Sequence, residues 1–298
     1  MTRLLKSVQR AFNKISPTSL AEKWDNTGIL IESPIENKSL TNVLLTIDLT
    51  KAVLLEALDQ RFKIGVIVTY HPIIFKPLKS ITTQDHLQEI LLNCITNGIS
   101  VYSPHTSLDS VIGGINDHLC QIVSTNPSNP NPNPASHHEI FSINGELING
   151  IPLEGIGMGS GRRVTFKSDQ QVSLMEIVNR CKVGLNLSHV QLARSSVGQS
   201  LIRSVGVCAG SGASICEALG TSCDVFLTGE MSHHEVLRAN ARGVHVILTS
   251  HSNSERFFLG KVLKDRLREL LREDQKDEQG DRWDVVVSSE DRDPLVVV

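Results

Sequence analysis

The chain has 298 residues, 40% of them hydrophobic, which predicts one large domain or two of ordinary size around a substantial core. A net charge of -3 lacks the basic surplus of domains that track phosphate backbones, which argues against direct nucleic-acid binding. The six cysteines are scattered without a CxxC pair, which argues against a thiolate metal site. No apolar run approaches the roughly 18 residues of a membrane span, so we expect a soluble protein. The cytoplasm is the favoured location, and the mitochondrion is the second choice.

The opening segment predicts an amphipathic helix that packs onto the rest of the protein. Its apolar residues recur at helical spacing, and the pair Ser16-Pro17 ends the pattern. These residues are Leu4, Leu5, Val8, Phe12 and Ile15. The segment is also basic, with no acid before Glu22, which is the composition of a mitochondrial presequence. A cleaved presequence would not pack on the core, so its contacts distinguish the two interpretations.

Apolar strands alternate with helical patterns in the first part of the chain, which predicts right-handed βαβ units and a mostly parallel sheet. The predicted elements are strand 42–50, helix 51–60, strand 63–70, helix 85–97, strand 99–103 and helix 113–123. Aromatic residues are only 4% of the chain and aliphatic residues dominate, as in strands buried on both faces. We therefore expect an α/β fold.

The clearest break in composition is the segment STNPSNPNPNPASHH at residues 124–138. It offers neither an apolar face nor ladder donors, so we predict a solvated linker or long loop, with His137 and His138 as loop residues. The linker would separate an N-terminal α/β unit (1–123) from a C-terminal α/β unit (139–298). Elements predicted beyond it are helix 173–185, strand 204–210, helix 213–220, strand 224–230, helix 231–243, strand 244–250 and a long charged helix 254–274.

Three predicted strands run into a histidine, and two of these histidines have a carboxylate four residues later. They are His71, His105 with Asp109, and His251 with Glu255. Ligands gather at the carboxyl ends of strands in an open α/β sheet, so these side chains could meet in one crevice. Imidazole with carboxylate suits divalent zinc, iron, manganese or cobalt. With Asp109 and Glu255 bridging, two ions could lie about 3.5 to 4 Å apart, the arrangement of many hydrolytic sites.

Each histidine also has a purely structural interpretation. His71 could cap a turn before Pro72, and His105 could be a hydrogen-bonded histidine of the core or a support for the ligands. A histidine with an acid four residues later is also common on solvated helices.

Two further segments allow two interpretations each. In CAGSGAS (208–214) the amides of Gly210, Ser211 and Gly212 could bind a phosphate or carboxylate, or the glycines could form a tight turn between strand and helix. In TGEMSHHE (228–235) the pair His233 and His234 could reach the same crevice with Glu230, but a position on the surface of a helix is favoured.

Six motifs in order resemble the Nif-three-like (NGG-interacting-factor-three-like) family, which has bacterial members such as YbgI and members labelled GTP cyclohydrolase type-two-like. They are WDNTGILI (24–31), YHPIIF (70–75), SPHTSLD (103–109), CAGSG (208–212), TGEMSHHE (228–235) and SHSNSERF (250–257). The resemblance covers nearly the whole chain. The chain resembles the short form of the family, because only the Pro/Asn segment and a modest stretch after it stand in place of the long inserted domain.

The resemblance implies two layered α/β units around a central dinuclear cleft, a ring-shaped hexamer, and two divalent ions per subunit. By position, His71, Asp109, His251 and Glu255 look like the metal ligands, with the acids bridging. His105 is similar to a family histidine that supports the ligands or shuttles a proton. The chain departs from the family at Tyr70, where bacterial relatives have the first histidine of a His-His-Pro motif, so one ion would lose a ligand.

The function that this resemblance implies is metal-dependent hydrolysis of a nucleotide or phosphorylated small molecule, as in a GTP cyclohydrolase. In that interpretation His105 moves protons and residues 210–212 hold phosphate. The alternative is a scaffold without turnover that interacts with a transcription regulator, or a metal-handling protein. We expect a homo-oligomer in either case, with no direct nucleic-acid or membrane partner.

Overall fold

The computed structural model describes residues 1–125, 137–141, 159–275 and 282–298. The α-helices of these residues are α1 (Arg3–Ile15), α2 (Lys51–Leu58), α3 (His86–Thr96), α4 (Thr106–Ser110), α5 (Ile115–Ser124), α6 (Leu174–Gly184), α7 (Ala213–Leu219), α8 (His233–Ala241), α9 (Asn253–Phe258) and α10 (Lys264–Asp274). A π-helical turn, Leu259–Leu263, joins α9 to α10, so the long charged helix predicted for residues 254–274 is confirmed with this irregularity. Within the described residues, every helix is too short or too polar to cross a bilayer.

The strands are β1 (Gly28–Ile31), β2 (Asn42–Thr46), β3 (Ile64–Thr69), β4 (Ser100–Ser103), β5 (His137–Phe141), β6 (Gly161–Thr165), β7 (Val172–Ser173), β8 (Gln191–Ala193), β9 (Leu201–Ile202), β10 (Ser204–Ser211), β11 (Val225–Glu230), β12 (His245–Leu248) and β13 (Asp284–Val287). His137 and His138 begin β5, so their assignment to a loop is wrong. The rest of the Pro/Asn segment, residues 126–136, lies outside the described residues.

The first sheet has five strands in the order β1-β4-β3-β2-β13. The pairs β13–β2, β2–β3 and β3–β4 are parallel, and β1 adds antiparallel to β4 at one edge. All six residues of β3 are buried, as expected of a central strand covered on both faces. The mostly parallel sheet predicted from the alternation of residues 42–103 is confirmed here.

Helix α1 packs on the first sheet's unit, as its apolar periodicity predicts. Thr2 caps its first turn, accepting a hydrogen bond from the amide of Leu5 (3.3 Å). The apolar residues that predicted the helix are all buried, and Arg10 forms an ion pair with Asp274 of α10 (2.8 Å). The docking helix is therefore confirmed over the presequence interpretation.

The second sheet has six strands in the order β5-β6-β10-β11-β12-β8. Its centre, β10–β11–β12, is parallel because α7 and α8 supply the crossovers that parallel neighbours require. The outer pairs β5–β6, β6–β10 and β12–β8 are antiparallel, so the expectation of a mostly parallel sheet is wrong for this unit. In the described parts of the chain, strands β5, β6 and β8 are not joined to their neighbours in the sheet by the strand–helix–strand order that makes neighbouring strands parallel. A short pair, β7–β9, stands apart.

The chain divides into two compact units, one of residues 1–108 and 258–292, the other of residues 109–257 and 293–298. The predicted boundaries at residues 123 and 139 are not where these units divide. Two interactions bring the later segment back to the first unit, because β13 pairs with β2 and α10 packs on α1. Helix α5 belongs to the second unit, where it packs on β10 and α6.

A buried guanidinium ties α5 to β6 in the second unit. The Arg162 side chain is completely buried, and its Nε donates to Asp117 Oδ1 (2.8 Å). Its Nη2 donates to the carbonyls of Ser110 (3.1 Å) and Val111 (3.2 Å). Burial of a cation is tolerated here because every face of the fork meets an oxygen. The residues next to Asp109 are thereby fixed to the sheet.

Replacing Arg162→Ala should lower the free energy of unfolding by about 3–5 kcal/mol, because it leaves a half-buried carboxylate and two carbonyls without their donor. Urea denaturation of the two variants measures the loss. The matched control is Arg10→Ala, which removes an exposed ion pair and should cost at most about 1 kcal/mol. Equal losses in the two variants would show that the buried pair contributes no more than a surface pair.

Candidate metal centre

His71 lies at the carboxyl end of the first sheet. The ladder continues past β3, because the amides of Tyr70 and His71 donate to the carbonyls of Thr46 (2.9 Å) and Ile47 (3.0 Å). Asp48 follows the neighbouring strand β2, and its Oδ1 lies 2.9 Å from His71 Nδ1. A carboxylate at Nδ1 favours the tautomer with a proton on that nitrogen, which makes Nε2 the nitrogen with the lone pair. Metal-binding histidines are oriented in this way in many proteins.

His105 follows β4 in the same unit and contacts a second carboxylate. Its Nδ1 lies 2.7 Å from Asp25 Oδ1, and Thr106 donates to the other oxygen from its amide (3.1 Å) and its hydroxyl. Burial alone would raise the pKa of Asp25, but the hydrogen bonds from His105 and Thr106 outweigh it and hold this pKa below its usual 3.8. Asp25 is therefore ionised at neutral pH.

The backbone at His105 is in the left-handed region, with φ of 35°, which is unusual for a residue with a side chain. Its ring lies edge-on to those of His71 (5.5 Å between centroids) and the buried Tyr70 (5.5 Å). The structure thus brings His71 and His105 together in the first unit. Tyr70, which departs from the family pattern, packs between them and the core.

His251 and Glu255 form the corresponding group in the second unit. His251 Nδ1 lies 2.9 Å from Glu230 Oε1 at the end of β11, and its Nε2 lies 3.5 Å from Glu255 Oε1. The Glu255 side chain is only 2% exposed. The turn that holds the pair begins at Ser250, whose φ is 71°. The arrangement repeats that of His71, with a carboxylate oxygen 2.9 Å from Nδ1 in each case.

Asp109 and Glu255 both lie near the buried thiol of Cys208 in the second unit. Burial raises the pKa of the Cys208 thiol, and the negative charges of Asp109 and Glu255 raise it further. Both carboxylates therefore act on the same buried sulfur. The Asp109 carbonyl also accepts a hydrogen bond from Asn116 Nδ2 (3.2 Å).

The glycine-rich segment 210–212 leaves room for the side chains of His251 and Glu255. Gly210 has φ of 62°, and a Cβ there would stand 2.7 Å from Glu255 Oε1 and 3.1 Å from His251 Nε2. The Gly210 amide donates to Ser254 Oγ (2.8 Å) and the Gly212 amide to Thr228 Oγ1 (3.0 Å). Two of the three amides predicted to bind an anion thus have partners within the protein. Phosphate binding by Gly210, Ser211 and Gly212 stays a prediction.

Among the described residues, His71 in the first unit and His251 and Glu255 in the second are candidate ligands for a metal ion. Two imidazoles and one carboxylate form the ligand set of some catalytic zinc sites, and the set also suits iron, manganese or cobalt. The residues therefore fit a divalent metal. Asp109 is not a member of this group, so its role as a ligand, the second ion and the identity of the metal stay predictions.

The interpretation of His233 and His234 as residues on the surface of a helix is confirmed. Both are exposed at the start of α8, where their rings contact each other (5.4 Å between centroids). The sequence reasoning missed Asp25 and Asp48. Asp48 follows a strand just as the histidines do, so the rule about strand ends, applied to acids, would have found it.

Substituting Glu230→Gln should weaken metal binding by about 10- to 100-fold, because a carboxylate behind a ligating imidazole raises its basicity and fixes its tautomer. Titration calorimetry with Zn²⁺ measures the change. Glu217→Gln is the matched control, since this glutamate pairs with Arg238 on the surface of the same unit. Unchanged affinity in Glu230→Gln would contradict the assignment of His251 as a ligand.

Replacing Gly210→Ala should abolish metal binding by displacing Glu255 and His251. Gly220→Ala is a stringent control, because Gly220 also has a positive φ (54°) and a Cβ there meets nothing within 4 Å. Both variants carry the backbone strain, but only Gly210→Ala crowds the ligands. Metal content after dialysis against Zn²⁺ compares them, and retained metal in Gly210→Ala would show that the crowding is harmless.

Comparison with known proteins shows the family and the fold of this chain. The family model Duf34/NIF3 (NGG1p interacting factor 3) matches residues 4–294. The Protein NIF3 homolog of Schizosaccharomyces pombe is 38% identical over 100% of this chain and 98% of its own length. Among solved structures, Staphylococcus aureus protein SA1388 covers 100% of this chain and 99% of its own, with a TM-score of 0.74 and 22% identity. Protein ybgI covers 95% of this chain and 96% of its own, with a TM-score of 0.69 and 18% identity, and these two similarities concern the fold. The chain belongs to the NIF3 family.

Proposed function

We propose that this protein is a divalent-metal hydrolase acting on a nucleotide or another phosphorylated small molecule, with chemistry of the GTP cyclohydrolase kind. The observation that supports it is the repeated pairing of a histidine with a carboxylate. His71 with Asp48 and His251 with Glu230 both have Nδ1 2.9 Å from a carboxylate oxygen. This pairing is characteristic of histidines that ligate metals.

In this proposal His71, His251 and Glu255 would be ligands of a divalent ion, and Asp109 would be a ligand of a second. The buried position of Glu255 supports its role, because a buried carboxylate is stabilised by a cation beside it. Ions held there would lower the pKa of bound water and would polarise the substrate bond whose carbon or phosphorus atom the resulting hydroxide attacks. Tyr70 stands where relatives have a histidine, so the second ion would have one ligand fewer.

His105 is proposed as the residue that moves protons. Asp25 holds its Nδ1 at 2.7 Å, so Nε2 carries the lone pair that can accept a proton from a nucleophile. The ionised Asp25 then stabilises the imidazolium that results, as the carboxylate does in other pairs of histidine and acid. The lowered pKa of Asp25 keeps that carboxylate charged throughout.

The remaining proposals concern the substrate and the assembly. Ser211 is exposed at the end of β10, and its hydroxyl is the group of segment 210–212 that we assign to a substrate phosphate. We also propose that the subunits assemble into a ring-shaped hexamer and that the protein works in the cytoplasm.

A second candidate is a scaffold without turnover that interacts with a transcription regulator, or a metal-handling protein. Two observations favour it. The family description names an NGG1p interacting factor. The residues Leu295 to Val298 are all at least 73% exposed, which gives the surface an apolar segment that a protein partner could cover.

Substituting His251→Ala distinguishes the two functions. A hydrolase should lose its bound metal, and its kcat/KM for nucleoside triphosphates should fall by at least about 100-fold. Both losses are expected because removal of the ligand also removes the ion and its positive charge. Metal analysis of protein purified without chelator, followed by a nucleotide screen with that metal, measures both. His234→Ala, on the surface of α8, is the control. If His251→Ala loses its metal but the unsubstituted protein hydrolyses no nucleotide, the result would favour the scaffold.

A further inference from the structure

Two large aromatic side chains are exposed next to His105 in the first unit. Trp24 is 55% exposed and Phe75 is 51% exposed. Their ring centroids lie 6.0 Å apart with the planes at 63°. Aromatic residues make up only 4% of this chain, and exposing two of them side by side leaves apolar area in water. We call this pair the aromatic platform.

The platform is held rigidly by hydrogen bonds on both sides. Asp25, next to Trp24, accepts hydrogen bonds from His105 and Thr106, and the amide of Glu22 donates to Thr106 Oγ1 (3.0 Å). Asn26 Nδ2 donates to the carbonyl of Ile74, next to Phe75, at 2.5 Å. The segments that carry the two rings are thus tied to each other and to the strand end of β4. A ligand would bind without having to order them first.

Both rings face the imidazole that we assign to proton transfer. The His105 centroid lies 6.1 Å from Trp24 and 6.5 Å from Phe75, edge-on to both at 79° and 83°. The His105 ring is in turn 5.5 Å from that of His71. A planar ring stacked on the platform would therefore lie next to the proton-transfer group and the first unit's metal ligand.

The charge around the platform selects among planar ligands. Lys23 immediately precedes Trp24 and Lys76 immediately follows Phe75, and both lysines are exposed. A base that carries phosphate could stack on the aromatic rings and pair with the lysine ammonium groups, whereas a neutral aromatic compound could only stack.

We propose that Trp24 and Phe75 bind the planar base of the nucleotide beside His105, with the base stacked on one ring and in contact with the edge of the other. This rests on the proposed function, whose substrate class it narrows from phosphorylated small molecules to those that carry a heteroaromatic base. Stacking on aromatic side chains tolerates different bases, so the platform supplies affinity and position more than a choice among bases.

Tryptophan fluorescence tests the proposal directly, because the chain has two tryptophans and the other, Trp283, is buried. GMP should quench Trp24 in the whole chain, and ribose 5-phosphate, which has no base, should not. Both titrations are made with Zn²⁺-loaded protein and with chelator-treated protein. By calorimetry, Trp24→Leu should weaken GMP binding by about 5- to 150-fold and Trp24→Phe should retain most of it. Leu78→Ala, a nearby exposed apolar residue, should have no effect.

Equal quenching by both compounds, or GMP affinity unchanged in Trp24→Leu, would overturn the platform. So would a smaller assembly of Trp24→Leu in size-exclusion chromatography with GMP affinity retained, since the rings would then form a contact between copies of the chain. The platform and the hydrolase fail separately. If GMP quenches Trp24 but the protein hydrolyses no nucleotide, the aromatic platform is supported and the hydrolase proposal is not. If the protein hydrolyses nucleotides and Trp24→Leu has an unchanged KM, the platform is contradicted and the hydrolase proposal is not.

Discussion

In the part of the chain that the structure describes, three histidines each have Nδ1 within hydrogen-bond distance of a carboxylate, and this contact determines what those histidines can do. His71, His105 and His251 each present Nδ1 to an acid on their own unit, at 2.9, 2.7 and 2.9 Å. An imidazole without such a partner can exchange tautomers and rotate, and its lone pair then has no fixed direction. The acid removes this freedom before any ion or substrate arrives. The proposed metal binding, the proposed proton transfer and the position of the aromatic platform beside His105 all depend on it.

Much of this could be read from the sequence because the relevant signals are local. Buried strands that run into His71, His105 and His251 were recognisable from apolar runs and from the rule about strand ends. Which acid pairs with which histidine was not recognisable, since each acid is contributed by another part of the chain. Asp25 precedes His105 by 80 residues and Asp48 precedes His71 by 23. Spacing along one segment cannot show which distant carboxylate a ring nitrogen will meet.

The division of the chain was misjudged for a related reason. The Pro/Asn segment is conspicuous in composition, but compact units form where backbone and side chains pack. The apolar run at Val285 was too short to distinguish a strand from a tail, and only its pairing with β2 shows that it completes the first sheet. Gly210 was likewise interpreted through its backbone amide, whereas its neighbours show that the missing Cβ matters more. Both the pairing of β13 and the crowding at Gly210 depend on contacts between segments that are far apart in the sequence.

The pairing of β13 with β2 has a consequence for how the protein is made. The ribosome synthesises residues 109–257 of the second unit before it reaches residues 284–287, so until then β2 presents an unpaired edge to the cell. Exposed strand edges recruit other strands, including those of neighbouring nascent chains. The order of synthesis thus makes the interval before residues 284–287 emerge the period of greatest aggregation hazard for the first sheet.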